Sequence, residues 1–329
     1  MKRIKGLDSL RFVMAFIVIL GHGAMPNLDL GFISADFDKI VNGLLNNTAV
    51  GIAAVMGFFV ISGFVIHYPY SEGKKLKIIN FYTKRLVRIS IPAIIAYLVY
   101  LLIFSYYMGV IWSLICEAIY YVLYPIFLRF IRRINLIIVL SFILSFGISL
   151  YYSVSSEIYN GDFHRNGYWL TWIVGLPIWL LGVKLAEEYK SFSKKEFTNY
   201  NFLNLLRITV WFFSIFASIL RFQLSVSYVY TLPIYSILIY YWLKKEILYY
   251  QNKDENKLLA FGGIISYSIY LVHALIIHII EKGFGVESLS SYPLLCFLAI
   301  VASLLISYLF YLLIEKPTHN LARFLGKKI

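Results

Sequence analysis

The sequence predicts an all-α, polytopic membrane helix bundle, on three observations. Hydrophobic residues make up 60% of the 329-residue chain and charged residues only 14%, against about a quarter charged in soluble globules. Uninterrupted apolar runs recur along the chain, each near the roughly 20 residues that cross a bilayer core. The cations cluster in the connections between those runs. Only helices and closed barrels satisfy the backbone in lipid, and runs this continuous exclude a barrel, whose strands alternate.

About ten spans follow in order, at residues 9–26, 48–68, 89–107, 112–129, 134–152, 168–186, 202–220, 223–243, 258–280 and 292–314. The first lacks a small-residue cleavage site and is expected to be retained. The second holds "GFFVISGFVI", and the third follows the basic stretch "SEGKKLKIINFYTKRLVRIS". The fourth opens on Trp112, and the fifth and sixth are bounded by Arg133 and Lys184. The seventh takes in Arg207, and the eighth stops at Lys244. The ninth carries His273 and His278, and the tenth ends at Glu315. With the N-terminus in the cytoplasm, inside connections carry 24 lysines and arginines and outside ones 4. The positive-inside rule then places both termini in the cytoplasm. It also accounts for the net charge of +13 without a nucleic-acid partner. No repeat or low-complexity tract divides the chain, so residues 1–329 read as one integral-membrane domain with no appended soluble domain. Cys116 and Cys296 lie in apolar runs and read as small buried hydrophobes.

Ionisable groups inside spans are costly and mark function. Arg11 and His22 open and close the first span. On an ideal helix eleven positions is three turns plus about 20°, which puts both side chains on one face roughly 16 Å apart. His22, Glu117 and His273 fall at one depth in the outer half, as an acid/base site needs: an imidazole base and a carboxylate to orient it. On the inner side Arg85 and Arg88 share a face if their stretch is helical. With Arg11 they suit a phosphate-bearing ligand, while the neighbouring lysines read as topology signals near anionic lipid. Ser62 reads as helix packing and Tyr120, Tyr121 and Tyr124 as packing or sugar contacts. His164 reads as a solvated loop residue. No histidine has metal-ligand spacing, and no P-loop, Rossmann or zinc motif occurs.

Several stretches together resemble acyltransferase family three, multi-pass membrane O-acyltransferases of bacterial surface polysaccharides. They are "LDSLRFVMAFIVILGHG", "GFFVISGFVI", "RLVR", "WSLICEAIYYVLYP", "ISYSIYLVH" and "LIEKP", in order from Leu7 to Pro317. The chain differs where the family often carries acids, at Met56 and Ala118, and has Val272 where tryptophan is common. The resemblance implies a bacterial cytoplasmic-membrane enzyme that takes an acyl group, most often acetyl, from cytosolic acyl-CoA. The acceptor it implies is a hydroxyl of a surface or lipid-linked glycan. It gives His22 as general base or acyl acceptor, paired with Arg11, with Arg85 and Arg88 on the donor and Glu117 as the acid. Trp112, Ser113, Tyr121 and His273 are possible acceptor or supporting residues. Acetyl-CoA is then a substrate, with no permanently bound cofactor and no metal. A transporter or flippase for a glycan intermediate or small organic acid also fits ten spans with intramembrane charge, as does a non-catalytic partner in a polysaccharide synthase complex.

Overall fold

The structure is a computed structural model and describes residues 4–28, 34–106, 108–155, 170–192 and 198–328. Among them every regular element is helical. The long helices are α1 (Leu7–Ile19), α3 (Gly51–Ser71), α4 (Ile78–Phe104), α5 (Trp112–Arg129), α6 (Ile134–Ser155), α7 (Thr171–Tyr189), α8 (Tyr200–Gln223), α9 (Tyr228–Tyr250), α11 (Ser266–Phe284) and α12 (Pro293–Phe310). Shorter ones are α2 (Ala35–Asn46), α10 (Lys257–Ile264) and α13 (Lys316–Lys328). Wide π-type turns, Leu20–Ala24 and Tyr311–Glu315, extend α1 and α12.

Each of the ten expected spans coincides with a long helix, but fewer are apolar enough to cross a membrane on their own. Seven candidate spans meet that standard by length and composition, and the α10–α11 pair, bent by 68°, makes an eighth. α7 and α9 fall outside it. The last turns of α7 carry Lys184, Glu187 and Glu188, and α9 is rich in tyrosine and ends in Lys244, Lys245 and Glu246. Both are heavily buried by other helices, so neither needs an all-apolar surface.

α7 packs most closely on α3. A Cβ on Gly63 would stand 2.0 Å from the Trp179 carbonyl, and one on Gly182 2.0 Å from the Val60 carbonyl. Small residues at such crossings let two backbones approach. Trp179, Tyr120, Tyr124 and Phe64 fill the adjoining space and are fully buried. Met56 is fully buried too, so the position where an acid was absent from the sequence is filled by hydrocarbon. Both cysteines are free and buried, as expected.

Three boundaries differ from the sequence reading. The basic stretch before the third span is mostly helix, because α4 begins at Ile78 and continues through Arg85 and Arg88. The eighth span starts later than expected and runs to Tyr250, because Ser227 caps α9 by accepting from the Val229 N–H at 3.2 Å. α2 and α13 were not anticipated, since both are too polar to register as apolar runs. His164 lies outside the described residues.

Candidate functional site

A cavity of about 180 Å³ opens where α1, α3, α4, α5 and the α10–α11 break converge. Arg11 enters from α1, and Arg85 and Arg88 from the first turns of α4. Ser113, Glu117 and Tyr121 line it from α5 at four-residue spacing, one stripe of a helix. Ser62 enters from α3, Tyr267 and Tyr270 from α11, and Glu315 from the π-turn after α12.

The two carboxylates are held by protein donors. The Ser62 and Tyr121 hydroxyls both donate to Glu117, and the Trp179 indole N–H donates to the Ser62 hydroxyl at 3.3 Å. Glu315 accepts from the Ser268 hydroxyl at 2.6 Å and from the Ser268 backbone N–H. It thereby caps the first turn of α11, where unpaired N–H groups favour negative charge. Arg11 lies 3.4 Å from Asp8. Arg85 and Arg88 make no ion pair or hydrogen bond with any described residue. The cavity therefore presents two guanidinium forks to whatever enters it, with the Glu117 and Glu315 carboxylates facing them.

A second cluster lies beyond. α1 stops at Ile19, and Gly23 turns the chain with φ of 102°, a conformation that costs glycine little and other residues much. Just before this turn His22 packs against His273, ring centroids 4.8 Å apart at 71°. The His22 Nδ1–H donates to the Val18 carbonyl at 2.8 Å and the His273 Nδ1–H to the Ile269 carbonyl at 3.1 Å. A carbonyl only accepts, so each neutral ring carries its proton on Nδ1 and leaves the Nε2 lone pair available. His22 is exposed, whereas His273 is fully buried and its Nε2 has no partner among the described residues.

Tyr270 stands between cavity and imidazoles. It lines the cavity, its ring centroid is 5.9 Å from that of His273, and its hydroxyl meets Ser113 Oγ at 2.7 Å and the Val110 carbonyl at 2.8 Å. Neither histidine lines the cavity.

Two expectations are corrected here. The helix that carries Arg11 does not run straight through His22, because the backbone leaves helical geometry at His22 and Gly23. Glu117 does not orient His22; its carboxylate is bonded by Ser62 and Tyr121 inside the arginine-lined cavity. The depth estimate was compatible with either partner, and helix rotation decided it. Arg11, Arg85, Arg88, Glu117, Ser113 and Tyr121 do come together at the cavity. Trp112 is buried edge-on against Phe59, ring centroids 6.1 Å apart. Tyr267, Tyr270 and Glu315 also line the cavity and were missed, and Ser62, read as helix packing, lines it too and bonds Glu117. The acid in "LIEKP" was the one signal available for Glu315, and it reads equally as the end of a span.

The fold and this polar interior define a helical protein of multi-pass membrane type with a charged internal cavity. The family model described as an acyltransferase domain matches residues 4–312, and the chain belongs to the acyltransferase 3 family. No curated protein and no solved structure matches the chain.

Proposed function

We propose that this protein is a membrane O-acetyltransferase. It moves an acetyl group from cytosolic acetyl-CoA to a hydroxyl of a surface or lipid-linked glycan across a bacterial cytoplasmic membrane, with both termini inside. The observation that carries this reading is the pair of guanidinium groups, Arg85 and Arg88, that line the cavity with no hydrogen bond or ion pair to a described residue. Planar forks of this kind suit the phosphates of a nucleotide thioester. The nucleotide lies at the arginine-lined mouth, and the thin pantetheine arm runs toward Tyr270.

His22 is the base. Its Nε2 takes the proton of the acceptor hydroxyl as that oxygen attacks the thioester carbonyl. The carbon–sulfur bond breaks, the CoA thiolate takes up a proton, and an acetyl ester remains on the glycan. The Val18 carbonyl supports this role by fixing the Nδ1–H tautomer. Since Tyr270 separates the cavity from the histidines, transfer requires the acyl end to pass its ring.

The test uses the full chain in proteoliposomes with acetyl-CoA and an isolated surface glycan, reading free CoA thiol and glycan O-acetyl together. Equal release of both supports the reading. Glycan or organic-acid flux without thiol release rejects it.

A further inference from the structure

A second recess, about 330 Å³, lies between the C-terminal ends of α4 and α11, lined by Phe104, Tyr106, His278, Glu281 and Lys282. Its size is at the lower end of the roughly 300–1,000 Å³ of small-molecule sites. We propose that it is the saccharide subsite of the acceptor, an inference that rests on the acyltransferase reading above.

Aromatic contacts hold the walls of this open recess. α4 ends on Ser105, whose φ of 60° is unusual for a residue with a side chain. That turn brings Tyr106 back over the helix end, edge-on to Tyr100 with ring centroids 5.6 Å apart. Phe104 lies 4.9 Å from Tyr100 and 5.8 Å from Tyr106. The Tyr100 hydroxyl bonds His278 Nδ1 at 2.9 Å, which fixes that imidazole against the aromatic wall. Lys282 Nζ sits 5.5 Å above the Phe104 ring and 3.4 Å from the Ile103 carbonyl.

A sugar ring offers an apolar face of C–H groups and an edge of hydroxyls. Aromatic faces take the first, and charged or polar side chains take the second. Tyr106 is half exposed, so its ring is available to a ligand; Lys282 supplies an ammonium to the lining, and Glu281, which accepts from the Leu289 backbone N–H and stands 4.0 Å from His278 Nε2, supplies a carboxylate. The location matches the chemistry. His278 stands five residues beyond His273 on α11, about 7.5 Å along the helix axis, and His273 packs against His22 with ring centroids 4.8 Å apart. A saccharide held in the recess would therefore lie about one and a half turns of α11 from the imidazole pair. An ordinary interfacial aromatic belt would hold tyrosines at this depth without the carboxylate, the ammonium or the link to the catalytic imidazole.

The experiment compares wild type, Tyr106→Ala, Glu281→Gln and a control, Tyr151→Ala, an exposed tyrosine on α6, all in nanodiscs. Saturation-transfer NMR with chitotriose, maltotriose and mannotriose reads sugar binding without any acyl donor. At least one trisaccharide should show ring C–H saturation with wild type and the control, lost or cut at least fivefold in the two recess variants. In acetyl transfer to the surface glycan, the recess variants should raise the acceptor KM about tenfold and leave the acetyl-CoA KM within twofold. Wild type that binds no trisaccharide, or recess variants that match the control, overturn the subsite. Sugar binding that depends on Tyr106 in a protein that consumes no acetyl-CoA retains the subsite and rejects the acetyltransferase reading.

Discussion

Arg85 and Arg88 project from a regular helix into the cavity and make no hydrogen bond or ion pair with a described residue, though the Glu117 and Glu315 carboxylates face them there. His22 and His273 are each pinned to a backbone carbonyl one turn earlier, and His22 sits where its helix gives way. Long, uncommitted cations suit the capture of a flexible anion, because they can follow it. A tethered imidazole suits a single proton transfer, because its tautomer and direction are set before the substrate arrives. Tyr270 lies between the two regions and touches both. The difference implies that substitutions at one end change donor affinity and at the other change turnover, and the following experiments press on that division.

The largest effect is expected at the imidazole end. His22→Ala should reduce kcat by about 10²–10⁴-fold, the usual contribution of a positioned general base, with the acetyl-CoA KM nearly unchanged. Turnover close to wild type in the proteoliposome assay would remove His22 from the chemistry. At the other end, Arg85→Ala and Arg88→Ala should each raise the acetyl-CoA KM. A hydrogen bond to a charged group is worth about 1.5–3 kcal/mol, and each 1.4 kcal/mol is tenfold, so the rise should be about ten- to a hundredfold. A donor lacking the ribose phosphate should lose less affinity in one of the two variants than in wild type. Equal losses in all three proteins would mean that neither arginine reads that phosphate.

Glu117 is the residue on which the division turns, because the sequence alone assigns it to the wrong end. Glu117→Gln removes a negative charge beside the arginines and keeps an acceptor for Ser62 and Tyr121. The sign is therefore toward tighter donor binding. The acetyl-CoA KM should fall by about two- to fivefold, the range of partly solvated charge pairs, with kcat within a few-fold of wild type. A loss in kcat as deep as that of His22→Ala would return Glu117 to the imidazole and merge the two regions.

Why some of this was legible in the sequence and some was not follows from what each signal encodes. Apolar run length is a property of a segment by itself, and it located the long helices among the described residues. Arg11, Arg85, Arg88 and His22 were conspicuous because charge within or beside an apolar run is expensive. Pairings between helices depend on rotation about each axis, which depth along the bilayer leaves free. That freedom sent Glu117 to His22 on paper and to Ser62 and Tyr121 in the fold. Helix breaks were hidden for a related reason. The glycines around His22 and the 68° bend at Ile265 look like ordinary small or apolar positions until a neighbour requires the turn.

The smallest effect, and the finest test of the division, is expected at His273. Its ring packs edge-on against His22, yet its Nε2 is buried without a partner among the described residues. Phenylalanine keeps the aromatic contact and removes that orphaned acceptor. It also removes the Nδ1–H bond to the Ile269 carbonyl, an oxygen whose helix position supplies a backbone donor as well. Removing an unsatisfied polar atom is near neutral or stabilising when shape is kept. His273→Phe should therefore hold thermal stability and kcat to within about threefold of wild type, whereas His273→Ala, which opens a void beside the base, should lose about tenfold or more. If the phenylalanine variant instead falls with the alanine one, the ring nitrogen carries a proton that packing cannot replace. The reacting unit would then be the imidazole pair rather than His22 supported by a neighbouring ring.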